Sequence, residues 1–294
     1  MRFSTCLARR KGRQMTENTK HNMQITILGC GSSGGVPRVG GDWGACDPLE
    51  PKNTRLRSSI LVEYWQGEGA EMPSEDKRTV VLVDTSPDLR TQLLAANTQH
   101  IDAVIYTHDH GDQTHGIDDL RAIAYRQGAR IKTYMGEESQ NDISKRFKYC
   151  FVKPEGRMHP PILDLQDFIK SGDSINISGP GGELPVSVFE VGHGNVNAFG
   201  FIFCGKTAYT PDVHTISENT LEQLTGLDTW ILDALRYHKH PTHAHMDLSL
   251  NWGAQTRTKK MIFTNLHIDM DYQTLKSELT GLHVPAYDGM VITI

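Results

Sequence analysis

Tyr106-Thr107-His108-Asp109-His110-Gly111-Asp112-Gln113-Thr114-His115-Gly116 is the stretch on which the reading of this chain turns. It follows IDAVIYT (101–107), a short apolar run typical of a buried strand, and precedes GIDDLRAIAYRQG (116–128), a helical pattern ending at glycine. His108 and His110 are two residues apart. In extended chain, residues i and i+2 project to the same side, whereas on a helix they diverge. The pair can therefore chelate a metal only at a strand end or in a loop. Asp112 follows at the start of the next turn. Two imidazoles and a nearby carboxylate suit zinc, manganese or iron. A lone His-x-His also occurs by chance in solvated loops; Asp112 and the strand–loop–helix setting favour the ligand reading.

Four more polar residues close apolar runs elsewhere: Asp84 after TVVLV, His193 after VSVFEV, Asp212 after TAYT, and His267 after KMIFTNL. Singly each could be a cap or a satisfied core residue. Together they place one polar group per strand end, the way α/β enzymes carry active sites on loops above a rigid sheet.

The rest of the chain sets the frame. Its 294 residues are 38% hydrophobic and 22% charged, with 27 glycines, which excludes a disordered chain. Thirty Lys+Arg against 35 Asp+Glu leave a net charge of -5, so no strong nucleic-acid signal is present. No apolar run approaches the ~18 residues of a membrane span. The five cysteines form no CxxC pair, which points to a reducing, cytoplasmic setting rather than a disulfide scaffold. Residues 1–22, with six Lys/Arg and one acid, read as a disordered N-terminal extension, and 23–294 as one domain.

GCGSSGGVPRVGGDWGACDP (29–48) follows the first strand pattern. Gly29, Gly31 and Gly34 match G-x-G-x-x-G, but Pro37 and the further glycines leave no room for a dinucleotide-binding helix. A wide turn packing near a site is the reading. Strand patterns outnumber helical ones and the two intersperse, which predicts a layered α/β protein with mixed sheets. The segment from Val152 to Pro185 resists assignment. Arg55 and Arg57 read as surface charge, and Arg121 as a buried partner of Asp118 or Asp119.

The motifs Asp84, His108-x-His110-x-Asp112, His193, Asp212 and His267, in that chain order, resemble the metallo-β-lactamase superfamily. LGCGSSGGVPR, THDHGDQTHGIDDLR, DALRYHKHPTH and AYDGMV are similar to its PhnP-type phosphodiesterase branch. The resemblance implies an αββα sandwich of two mixed β-sheets flanked by helices. It implies that His108, His110 and His193 hold a first metal, that Asp112 and His267 hold a second, and that Asp212 bridges. Asp84 would assist the catalytic machinery as an orienting group. Two departures stand out. The family pattern HxHxDH has Gln113 in place of its last histidine, and of the expected cysteine cluster after the glycine loop only Cys46 remains.

The resemblance further implies phosphodiester hydrolysis by a hydroxide held between two divalent ions about 3.5–4 Å apart. RYHKHPTHAHMD (236–247) is histidine-rich, and the family places its general acid near here: His243 first, His240 second. A histidine-rich surface loop is the plain alternative. His115, Gln113 and Tyr287 are the candidate substrate-side residues. With Gln113 a poor zinc donor, the second site would keep Asp112, Asp212 and His267, a set better suited to Mn²⁺ than to Zn²⁺ and weaker than the first. The expected substrate is a small cyclic or nucleotide-like phosphodiester. A tRNA 3′-processing nuclease and a non-catalytic metal- or nucleotide-binding protein are the alternatives, and a homodimer is left open.

Overall fold

The computed structural model of the chain describes residues 21–67, 71–153, 155–156 and 158–294. Most of the extension expected at 1–22 lies outside them, but the first strand takes in His21 and Asn22. One sheet contains β1 (His21–Gly29), β2 (Ser59–Gln66), β3 (Thr79–Val83), β4 (Ala103–Ile105), β5 (Ile131–Tyr134), β6 (Leu163–Leu165) and β14 (Val291–Thr293), in the order β14-β1-β2-β3-β4-β5-β6. The other contains β7 (Ser174–Gly179), β8 (Gly182–His193), β9 (Val196–Phe203), β10 (Thr207–Thr210), β11 (Thr229–Asp233), β12 (Lys260–Thr264) and β13 (Val284–Pro285), in the order β13-β12-β11-β10-β9-β8-β7. The stretch 152–185, which the sequence pattern leaves unassigned, supplies β6, β7 and the start of β8.

The two sheets face each other, and their strands are apolar on both sides. In β3, Val81 and Val83 enter the core between the sheets, while Val80 and Leu82 point to the outer layer. In β11, Ile231 faces inward, and Trp230 and Leu232 face outward. Burial on both faces is why these runs are continuous rather than alternating. Helices α1 (Leu89–Ala95), α2 (Gly111–Thr114), α3 (Leu120–Gln127), α4 (Glu137–Arg146) and α5 (Lys148–Phe151) follow strands of the first sheet, and Leu89, Leu93, Leu120, Ile123 and Ile143 cover it. Helices α6 (Glu218–Gln223), α7 (Met246–Thr256) and α8 (Tyr272–Glu278) supply Leu221, Trp252 and Leu275 to the cover of the second. The result is the expected αββα sandwich.

β3, β4 and β5 run parallel, as do β10, β11 and β12. Parallel strands bring their C-terminal ends, and the loops beyond them, to one edge, where open α/β sheets place ligands. The residues after β3, β4, β10 and β12 include Asp84, His108, Asp212 and His267, which the sequence marks as polar.

Two arginines depart from the surface-charge reading. Arg55 is 1% exposed and donates to the carbonyl of Met270 at 2.6 Å, to Asn53 Oδ1 at 3.1 Å and to the carbonyl of His267 at 3.4 Å. A guanidinium has five donors in a fixed fork, and here they tie the chain after β12 to the segment before β2. Arg57 pairs with Asp88, its Nη2 donating to Oδ1 at 2.8 Å. Arg121 does take Asp118, but at the surface rather than buried.

A candidate metal centre at the sheet edge

The loop after β4 is set by the strand before it. Asp84 follows β3 with φ of 63°, in the left-handed region that Asp tolerates better than most residues. Its buried carboxylate accepts from the Thr107 amide at 2.8 Å and from Thr107 Oγ1 at 2.9 Å. With its hydrogen committed to Asp84, the Thr107 hydroxyl accepts from His108 Nδ1, 2.9 Å away. That leaves the lone pair of His108 on Nε2, which lies 3.0 Å from His110 Nδ1. His193, at the end of β8, is fixed the same way: its Nδ1 donates to the carbonyl of Thr242 at 2.7 Å. A carbonyl can only accept, so Nε2 again carries the free pair. Farther along the loop, Gly116 passes so close to the chain after β3 that a Cβ there would sit 2.0 Å from the carbonyl oxygen of Ser86.

The three rings converge. Their centroids are 4.5 Å apart for His108–His110 and 5.1 Å for each of the other two pairs, and one ligand atom from each lies within 4.8 Å of the others. Burial, then the neighbouring imidazoles, holds His108 well below the usual histidine range. Burial and His243 lower His193 to about 4, against the opposing pull of the Thr242 carbonyl. A divalent ion requires neutral imidazoles with aimed lone pairs, which His108 and His193 supply, and with His110 converging on them the three residues fit such an ion.

Asp212, His193 and His243 form a second such group. Asp212 and Asp233 are buried at 2% and 0% exposure. Burial raises Asp212 well above the ordinary carboxylate range, His243 opposing it. Asp233 ends β11 and accepts from His243 Nδ1 at 2.9 Å. Burial alone would lower His243, but Asp233 and then Asp212 outweigh it and push the imidazole up to about 9. The loop carrying His243 closes at its neck through Leu235 and Met246, whose amides donate to the carbonyls of Ala244 and Arg236 at 3.1 and 3.0 Å. A cavity of about 270 Å³ opens here, lined among others by His110, Asp112, His193, Asp212, Thr242 and His243.

The structure thus brings together His108, His110, Asp112, His193, Asp212 and His243, with Asp84 behind them. His240 is next to His243, ring centroids 5.1 Å apart, but its Nδ1 is turned to Thr242. His267 is not brought in. Its Nδ1 faces Asp269 at 2.9 Å and its Nε2 takes the Arg38 guanidinium from the glycine-rich loop. The residue that reaches the site from the end of β12 is Asn265, 1% exposed, with φ of 59°. That left-handed turn places Asn265, rather than His267, against Asp212. Gln113 is buried and touches Asp212 as well. His115 is exposed, its ring edge-on to Phe147 at 6.0 Å, and Tyr287 packs against Tyr272 and under Lys52. Neither lines the cavity.

Asp233 and Asn265 were missed by the sequence reading, although both carried a usable mark. TWILD ends in a carboxylate as TVVLVD does, and KMIFTN ends in an amide before the histidine that drew attention.

The β-lactamase superfamily domain matches residues 79–268, and the chain belongs to that family. It is a metal-dependent hydrolase. Among solved structures it is similar to a diphosphatase of the PhnP family, at 30% identity over 93% of this chain and 97% of the other, with a TM-score of 0.79. It shares the fold of zinc-bound PqqB from Methylobacterium extorquens, at 19% identity over 92% and 99% of the two chains, with a TM-score of 0.67. A curated relative, an octanoyltransferase of Porphyromonas gingivalis, is 28% identical over 91% of this chain. The chain spans about half the length of that relative, 51%.

Among the described residues, no helix is long and apolar enough to cross a membrane.

Proposed function

We propose that the chain hydrolyses the phosphodiester bond of a small phosphate-containing molecule, as a PhnP-type enzyme of its superfamily. The observation that carries this reading is the His243–Asp233 pair at the mouth of the three-histidine cluster. A divalent ion held by His108, His110 and His193 supplies Lewis acidity towards a phosphoryl oxygen and a water of lowered pKa. The chain's own residues do the rest. Asp84, through Thr107, keeps the His108 lone pair aimed. Thr242 does the same for His193. Asp233 engages Nδ1 of His243, so the proton His243 gives up to a leaving alkoxide is the one on Nε2, the nitrogen free to face the cavity.

A protein that only binds has no need of a buried carboxylate behind a cavity-facing histidine, so the catalytic reading stands above the binding one. The similarity to a PhnP-family diphosphatase supports phosphorus chemistry. Acyl transfer belongs to the name of a protein twice as long, and nothing at this site calls for it. The four described cysteines are unpaired, which supports the cytoplasm as the setting.

The test uses two substrates. The wild-type chain, loaded with Zn²⁺ or Mn²⁺, should cleave bis(p-nitrophenyl) phosphate and lose that activity to a chelator. His243→Ala should slow an alkyl phosphodiester by ~10²–10⁴-fold and the nitrophenyl ester far less, because nitrophenolate leaves without a proton. No cleavage of either substrate by the loaded wild type sinks the reading. Equal losses on both remove His243 from the role.

A further inference from the structure

The superfamily resemblance implies two metals, and the second does not fit the residues that surround Asp212. Its Oδ2 accepts from Gln113 Nε2 at 3.1 Å and its Oδ1 from Asn265 Nδ2 at 3.3 Å. Asn265 Nδ2 also lies 3.2 Å from Asp233 Oδ1, so its two hydrogens serve two buried carboxylates. These orientations follow from the partners. Turning the Asn265 amide over would set its carbonyl oxygen against two carboxylates, and turning Gln113 would set its own against one. What points at Asp212 from both sides is therefore N–H, the positive end of a dipole, where a second cation would require lone pairs.

The remaining donors do not make up the difference. His267 has both nitrogens engaged, by Arg38 and Asp269, and joins no three-residue ligand cluster among the described residues. Of the His193, Asp212 and His243 group, His193 belongs to the first site and His243 has Nδ1 engaged by Asp233, while Gln113 Oε1 is buried without a partner and offers a lone pair. With Asp112 it gives a second ion two oxygens that Asp212 need not share, below the four ligands of zinc and the six of manganese or magnesium.

We propose that this chain works with a single divalent ion, at His108, His110 and His193, and that the place of the second is taken by the side chains of Asn265, Gln113 and His243. The amides hold Asp212 in position, and His243, its Nδ1 donating to Asp233 and 3.6 Å from Asp212 Oδ1, fills the rest of that place. Asn265 is then a positioning residue, acting through Asp212 and Asp233. The inference rests on the metal-hydrolase reading but counts its ions differently from the family.

The count is measured directly. Chain stripped with a chelator is titrated calorimetrically with Zn²⁺ and, separately, with Mn²⁺, and its metal content is read by elemental analysis after desalting. One equivalent per chain is expected with either ion. The Mn²⁺-loaded chain should give the spin-resonance spectrum of an isolated ion, a readout that needs no variant. The double substitution Gln113→His and Asn265→His should add a second equivalent. Two equivalents retained by the wild type, or an exchange-coupled manganese pair, overturns the proposal while leaving a metal hydrolase in place. No bound metal at all overturns both readings. A double variant that folds, by circular dichroism and melting, yet still binds one equivalent overturns the assignment of the two amides as the cause.

Discussion

The two sides of this site are built from the same kind of position, strand ends at one edge of the sandwich, yet they present opposite electrostatics. On one side burial holds His108 and His193 neutral, hydrogen bonds to Thr107 and Thr242 pin their tautomers, and His110 converges on the same point. On the other, Gln113 and Asn265 turn N–H groups towards Asp212, and His243 lies against Asp233. Lone pairs converge on the first side and donors converge on the second. A side chain at a strand end is thus not a metal ligand by position alone. The partner behind it decides whether it offers a lone pair or a proton.

Variants that act on one side only should separate the two. The largest effect is expected from His110→Ala, which removes one of three converging nitrogens. Elemental analysis should find the bound ion lost, and activity should fall to background. An unchanged metal content would mean that the three-histidine cluster is not the binding site.

A smaller effect tests the partner behind the ligand. Thr107→Val keeps the shape but takes away the hydroxyl between His108 Nδ1 and Asp84. Metal affinity should fall by ~10–100-fold, the usual cost of losing a hydrogen bond that orients a ligand. The same loss should not appear in the proton step, so the ratio of rates on alkyl and nitrophenyl substrates should hold at saturating metal. A shift in that ratio would break the division between the two sides.

The smallest effect is expected at the residue that the superfamily pattern would place in the second site. His267→Ala should leave metal stoichiometry and affinity within about twofold of wild type, since Arg38 and Asp269 already occupy its ring. A tenfold loss of affinity by calorimetry would return His267 to the metal centre and merge the two sides.

Much of the site is legible because metal chemistry leaves short-range marks. His108 and His110 project together for the same reason in any extended segment, and a carboxylate closing a run of β-branched residues is conspicuous. The fold class follows from the same local rules: TVVLV is apolar on both faces because helices cover one and the second sheet the other. The stretch from 152 to 185 stays unreadable because its strands lie at sheet edges, with exposed and half-buried positions that carry weak patterning.

The chain's order of residues determined a layered α/β protein with mixed sheets and a histidine cluster at a strand end, for which local periodicity and ligand spacing suffice; the sandwich and the enzyme class followed from the resemblance of its motifs to the metallo-β-lactamase superfamily. Only the tertiary structure decided that Asn265 rather than His267 reaches Asp212, since this depends on one left-handed turn after β12. Only it decided that Arg55 is a buried clamp, because its acceptors Met270 and His267 lie more than two hundred positions away. And it alone set the donor or acceptor role of each polar atom in the site. A hydrogen bond's direction is a property of the pair, and pairs such as Gln113–Asp212, Asn265–Asp212 and His193–Thr242 join residues 99, 53 and 49 positions apart.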